Sequence, residues 1–336
     1  MIDFTKCEEL INNYLGSEKK KRILYNNEIY LLKFPDPVRE KNNSLSYVNN
    51  QFAEYIGCHI FKELGVTVQQ TQLGIYCEEN KNKICVACRD FENDGMHLYE
   101  FAKLANSVTN SPQKFSTRIE DVYEVIKKTD VIKDKQSIID GFWDIFVVDC
   151  LIGNTDRHLD NWGVVQNKNS EITISPVYDC GSSLFPLISE KNASELLNNL
   201  TEMKNISYNV KSVYKMNDKP VFYRDIGIID NNDFKNALFR IGKRIDLKKI
   251  ECIIDNTPYL SPIYKKFYMT SIKIRYDLIM KEPIKRISIK KEEVNLNMPK
   301  SMKERIQKAK KEKNKSVIKP IQKELNKLKN NKTEER

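Results

Sequence analysis

The sequence predicts an α+β chain of two unequal lobes followed by a basic tail, and three observations carry that expectation. Short runs rich in β-branched and aromatic residues, broken by turn residues, fill residues 20–91 around one amphipathic stretch. From Leu98 onward the apolar spacing becomes that of helices, and a block of strands followed by a block of helices marks an α+β architecture. Beyond Pro283 aromatic residues disappear and Lys, Glu and Asn with isolated aliphatics remain. The implied boundaries are 1–92 for a small β-rich N-lobe, 93–285 for a larger helical C-lobe and 286–336 for a Lys-rich tail, partly helical or disordered.

A chain of 336 residues, 40% of them hydrophobic, can bury a sizeable core. It contains no run of about twenty apolar residues that would span a membrane. The opening MIDFTKCEELINNYLG is too acidic and polar for a signal peptide, so the expected location is cytoplasmic, with export by a route lacking such a signal left open. Eight cysteines without framework spacing fit reduced thiols. Cys85-Val-Ala-Cys88 is the one C-x-x-C, and with only three histidines in the chain it reads as strand rather than zinc site. The net charge of +10 is unevenly spread. Residues 299–336 hold fourteen Lys and Arg against five Glu, which leaves 42 basic and 41 acidic residues for 1–298. Attraction to anionic partners therefore belongs to the tail.

Residues 12–22, NNYLGSEKKKR, place a glycine and a basic cluster ahead of the first clear strand. The run is either a phosphate-covering loop, with backbone N–H groups around Gly16 and Ser17 and the Lys20 ammonium facing phosphate, or a helix cap or turn. Strands at 22–25 and 28–34 flank Asn26-Asn27, two residues that tolerate positive φ and suit a tight hairpin. Lys33, among alternating apolar neighbours, either snorkels from an edge or points into a cleft. Apolar residues at 48, 52, 55, 56 and 60 predict an amphipathic helix over 46–64 with Gly65 as its stop. Glu54 sits near the boundary of its apolar face. Strands at 66–76 and 83–91 complete a small antiparallel sheet with one helix.

Helical spacing follows at 98–107, 119–129, a long apolar stretch ending at Ile152, 193–203, 232–245 and 263–281. Trp143 and Phe146 are core candidates, and His59 and His97 lack metal-ligand spacing. After Ile152 come short apolar runs at 162–165 and 172–174, as in a hairpin.

The chemistry concentrates around that hairpin. Asp156 is followed five places on by Asn161, and Asp179 lies in Tyr178-Asp-Cys-Gly181. Phosphoryl transfer needs one carboxylate to orient the attacking hydroxyl, and an amide oxygen with a second carboxylate to hold Mg2+ on the nucleotide phosphates. D-x-x-x-x-N with D-x-G supplies these groups, although each piece alone is also an ordinary polar turn.

The segment Gly153-Asn-Thr-Asp-Arg-His-Leu-Asp-Asn161, with Val177-Tyr-Asp179 behind it, resembles the catalytic and metal-binding loops of HipA-like serine/threonine kinases. Phe142-Trp-Asp-Ile-Phe-Val147 and Ile253-Ile-Asp-Asn-Thr-Pro258 extend the likeness across residues 20–280. The resemblance implies a bilobal protein-kinase-like fold and an ATP- and Mg2+-dependent transfer of phosphate to protein hydroxyls, the enzyme's own included. It implies Asp156 as catalytic base, His158 near the phosphates, and Asn161 and Asp179 as metal ligands. Leu31-Leu-Lys-Phe-Pro35 resembles the strand that carries the family's nucleotide-binding lysine, which turns Lys33 towards the cleft, with Glu54 to hold its ammonium in place. From chain order, Cys88, Arg89 and Asp90 form the hinge whose backbone receives adenine.

Two other readings compete. The loop is also similar to that of type II phosphatidylinositol 4-kinases, but no palmitoylation-like cysteine cluster or exposed aromatic loop accompanies it. A kinase-like scaffold whose basic tail binds nucleic acid or an acidic partner would leave Lys33, Glu54, Asp156, Asn161 and Asp179 together without a purpose. The protein substrate, the oligomeric state and the site of self-modification, with Ser17, Ser182 and Ser183 as candidates, are not legible in the sequence.

Overall fold

The structure is a computed structural model that describes residues 2–11, 20–35, 49–109 and 117–296. Gly16 and Ser17 lie outside the described residues, as does the basic tail from residue 297 onward. Two compact units divide the chain, Met1–Ile284 and Lys285–Arg336.

The first unit begins with β1 (Glu8–Leu10), β2 (Lys20–Tyr25), β3 (Glu28–Lys33), α1 (Asn50–Glu63), β4 (Thr71–Glu78) and β5 (Lys81–Arg89). The strands form one antiparallel sheet in the order β1-β2-β3-β5-β4. Asn26 and Asn27 close the β2–β3 hairpin at φ 52° and 62°, the left-handed pair of a two-residue turn that matches strand twist. Glu79 and Asn80 close β4–β5 in the same way, at φ 51° and 60°. Tyr30, Leu32 and Phe34 pack with Phe4, Ile23, Tyr76, Cys85 and Ala87 into one apolar cluster. Strand alternation then puts Leu31 and Lys33 on the opposite face, where Lys33 lies in register with Val86 and Leu31 with Cys88.

A short helical turn at Phe91–Asp94 leads to β6 (His97–Glu100) and α2 (Phe101–Thr109), followed by α3 (Ile119–Lys128), α4 (Lys135–Ile152), β7 (Gly163–Gln166) and β8 (Ile172–Ile174). The helix expected from residue 98 starts later, because His97–Glu100 pair with β7 as the edge of a three-stranded sheet. Next come α5 (Glu190–Asn198), α6 (Leu200–Tyr208), β9 (Lys211–Met216) and β10 (Lys219–Phe222). The single helix expected over 193–203 is two, divided at Asn199, whose side chain accepts the Glu202 N–H and starts the second. The chain continues through α7 (Asn232–Gly242), α8 (Leu247–Asp255), α9 (Pro262–Arg275), a π-helical turn at Tyr276–Met280, and α10 (Lys281–Leu296). No helix among the described residues is long and apolar enough to cross a membrane.

α4 is the axis of the helical part and is buried on nearly every side, so its sequence is apolar without a polar stripe. Phe142, Trp143 and Phe146 meet Tyr214, Tyr223 and Phe234 in edge-on ring contacts. Trp143 donates its indole N–H to the Tyr123 hydroxyl at 2.7 Å. Arg240 of α7 grips Asp144 of α4 with Nε and Nη2, the shortest contact being 2.7 Å. This packing fixes the C-terminal end of α4, from which the candidate site emerges.

Candidate active site

α4 ends because Gly153 turns left-handed at φ 69°. The carbonyls of Leu151 and Ile152, left over at a helix C-terminus, accept from Arg275 Nε at 2.8 Å and Nη2 at 3.1 Å. A side chain at 153 would sit 2.8 Å from Arg275 Nη1, so glycine is needed there for space as well as for conformation. Beyond it, the buried Asn154 accepts the Asp156 N–H at 3.0 Å and donates to Asp149 at 3.1 Å.

Asp156 is half exposed and projects from this loop. Burial, helped by the charge of Asp179, raises its carboxyl above the ordinary value, while His158 and Arg157 pull it down. His158 Nε2 lies 3.8 Å from Asp156 Oδ2, and its Nδ1 accepts the Asp160 N–H at 3.2 Å. The Asn161 amide donates to the Asp156 carbonyl at 2.7 Å.

Lys33 meets this loop system from the sheet. Its ammonium is 3.0 Å from Asp179 Oδ1 and 3.2 Å from Glu54 Oε2, with Lys33 7% and Glu54 1% exposed. Gln69 donates to the other Glu54 oxygen at 2.6 Å. Burial alone would raise the Asp179 carboxyl, but the Lys33 ammonium, with lesser help from Lys20, holds it down at about 2. Lys20 pairs with Lys33 across β2 and β3, so two cations stand at one end of the sheet. Asp179 itself is left-handed at φ 58°, a conformation that costs a non-glycine residue about 1 kcal/mol and that aspartate tolerates better than most.

α1 closely approaches the loop that carries Asp179 and Cys180. An added Cβ at Gly57 would lie 2.7 Å from Cys180 Cβ, so the helix carrying Glu54 approaches Asp179 only because residue 57 has no side chain. Gly57→Ala is expected to lower stability by about 1–3 kcal/mol and to reduce activity through the Lys33–Glu54–Asp179 chain. An unchanged melting temperature would refute the close-contact argument.

Arg157, Asp149, Asn154, Gln69, Gly57 and Arg275 serve the site without having been singled out from the sequence. A buried charge pair at positions 149 and 157 was a usable signal, since Asp149 lies inside an apolar helix next to the motif. Arg275 and Gln69 come from remote segments and left none.

The donor side of the hinge reading does not fit the structure. The N–H of Arg89 donates to the Gln70 carbonyl at 2.8 Å and that of Asp90 to the Ile29 carbonyl at 2.9 Å, so neither is available to adenine. Their side chains are engaged too, Arg89 with Glu28 and Asp90 with Arg22. Cys88 is an interior strand residue between β3 and β4 whose buried thiol lies within the electrostatic reach of Glu54, Lys33 and Asp179; burial raises its pKa. Ser183 is fully buried, which removes it as an acceptor of phosphate, and Ser182 is half-buried with its carbonyl facing the Thr155 N–H. Ser17 lies outside the described residues.

Three comparisons bear on this geometry. Residues 15–240 match the HipA-like C-terminal domain, and the chain belongs to that family. Over 286 residues it is 41% identical to the serine/threonine-protein kinase CtkA of Helicobacter pylori (strain J99 / ATCC 700824), covering 83% of this chain and 86% of that protein. The crystal structure of the Helicobacter pylori proinflammatory kinase CtkA superposes with a TM-score of 0.75 at 38% identity, covering 85% of this chain and 98% of that one. HipA of Shewanella oneidensis MR-1, solved with HipB and operator DNA, shares the fold alone, with a TM-score of 0.52 at 12% identity over 82% of this chain and 67% of that one. The chain is therefore a serine/threonine protein kinase of the HipA/CtkA type, with ATP as phosphoryl donor and a divalent metal implied.

Proposed function

We propose that Asp156 is the catalytic base, that Asn161 and Asp179 hold Mg2+ on ATP, and that Lys33, kept in place by Glu54, contacts the nucleotide phosphates. The observation that carries this reading is the Lys33 ammonium lying 3.0 Å from Asp179 and 3.2 Å from Glu54, a bridge from the sheet to the metal-ligand loop. The donor set fits the ion: an amide oxygen and a fully ionised carboxylate are hard oxygen ligands of the kind Mg2+ takes together with water and phosphate. When bound, the metal offsets negative charge that develops on the transferring group. Asp156 accepts a hydrogen bond from the acceptor hydroxyl, orients it and takes its proton. His158 presents Nε2 on the same side and donates to phosphate, and Lys20 adds a second cation. The adenine meets the chain at a place other than the N–H groups of residues 89 and 90.

Purified protein with labelled ATP tests the reading. EDTA is expected to abolish labelling of casein-like proteins and Mg2+ to restore it, while phosphoinositide vesicles stay unlabelled. Transfer that survives EDTA would end the metal assignment, and lipid-only labelling would end the choice of acceptor. Self-transfer belongs to the same proposal and is checked by mass spectrometry after incubation with Mg-ATP. All eight cysteines are free thiols, five of them buried, which supports work in the reducing cytoplasm.

A further inference from the structure

Arg157 sits between the proposed base and the proposed metal ligands in sequence, yet it is only 2% exposed. Its Nε and Nη2 fork onto Asp149 Oδ2 and Oδ1 at 2.9 Å and 3.2 Å. Nη1 donates to the carbonyl of Asn161 at 2.8 Å and to the carbonyl of Tyr178, the residue before Asp179. Nη2 also reaches Cys180 Sγ, just after Asp179, at 3.4 Å. One planar group thus holds the main chain of both loops at their proposed ligands. Asp149, 1% exposed on the rigid α4, fixes that group and also accepts from Asn154, whose own oxygen takes the Asp156 N–H.

We infer that Asp149 and Arg157 are a positioning couple that sets the spacing of Asn161 and Asp179, and so the divalent-metal affinity of the enzyme, without touching substrate. The inference rests on the proposed reading of Asn161 and Asp179 as metal ligands. The grip on Tyr178 also restrains the left-handed backbone of Asp179. A guanidinium suits this task because its donors lie in one plane at fixed angles, whereas an ammonium concentrates its charge at a point.

The test uses the full chain and three readouts: the Mg2+ concentration for half-maximal activity, binding of a fluorescent ATP analogue in EDTA, and the melting temperature. Arg157→Lys is expected to raise half-saturating Mg2+ by about tenfold or more, in the range found for residues that orient metal ligands, while metal-free nucleotide binding stays within about twofold. The pair Asp149→Leu with Arg157→Met replaces a buried ion pair by apolar side chains, a change that preserves folding when both partners go together. A purely structural role predicts an unchanged Mg2+ requirement in that folded double variant; positioning predicts the same rise as in Arg157→Lys, because the donors to Asn161 and Tyr178 are gone. Asp179→Asn is the control for the underlying reading. If it raises the Mg2+ requirement and both the single and the double variant leave it unchanged, the couple is not a positioning device. If Asp179→Asn leaves it unchanged, the metal assignment itself has failed.

Discussion

Asp156→Asn is expected to slow phosphoryl transfer by about 10^2- to 10^4-fold, the usual contribution of a positioned base, while ATP affinity stays within about twofold. The loop backbone around residue 156 is held by Asn154, Asn161 and Tyr223, none of which uses the Asp156 carboxylate. An amide therefore keeps the shape and loses only the capacity to accept a proton. Steady-state labelling with a fluorescent-nucleotide titration separates the two effects. Parent-like turnover by a homogeneous Asp156→Asn preparation would move the base elsewhere.

Lys33→Met should be the most damaging change to both folding and activity. It leaves Glu54 buried and Asp179 partly buried without their cation, and breaking a buried ion pair by removing one partner costs about 3–5 kcal/mol. The pH dependence gives a second readout. The folded Asp179 carboxyl lies at about 2 against 3.8 for the free group, so its stabilising contribution is complete above pH 3.8 and is lost as pH falls towards 2. The stability gap between parent and Lys33→Met should accordingly be full near neutrality and narrow over that acid window. Urea titrations at several pH values measure it, and a gap that stays constant down to pH 2 would contradict the Lys33–Asp179 pairing.

The local chemistry of the site was legible because its key residues sit in short contiguous stretches. Asp156, Asn161 and Asp179 come from two turns flanking one hairpin, whereas strand alternation left Lys33 open between an edge and a cleft until the family resemblance pointed it to the cleft. The Asn26-Asn27 turn carried its own signal, whereas Glu79-Asn80 did not, since glutamate seldom adopts positive φ. The β9–β10 hairpin was missed because Lys211–Phe222 is rich in lysine and only half-buried, so its alternation is blurred. The engagement of the hinge N–H groups was hidden for a different reason. Chain order locates the end of β5, but which N–H groups are spent depends on Gln70 and Ile29, partners that no local pattern names.

The clamp at the end of α4 has a consequence for how the enzyme comes into being. Arg275 reaches Leu151 from 124 positions downstream, and domains emerge from the ribosome N-terminal end first. A nascent chain that already displays every proposed ligand still lacks the residue that closes off the helix beneath them. Translation must run almost to the end of the Met1–Ile284 unit before the catalytic turn acquires its final anchor.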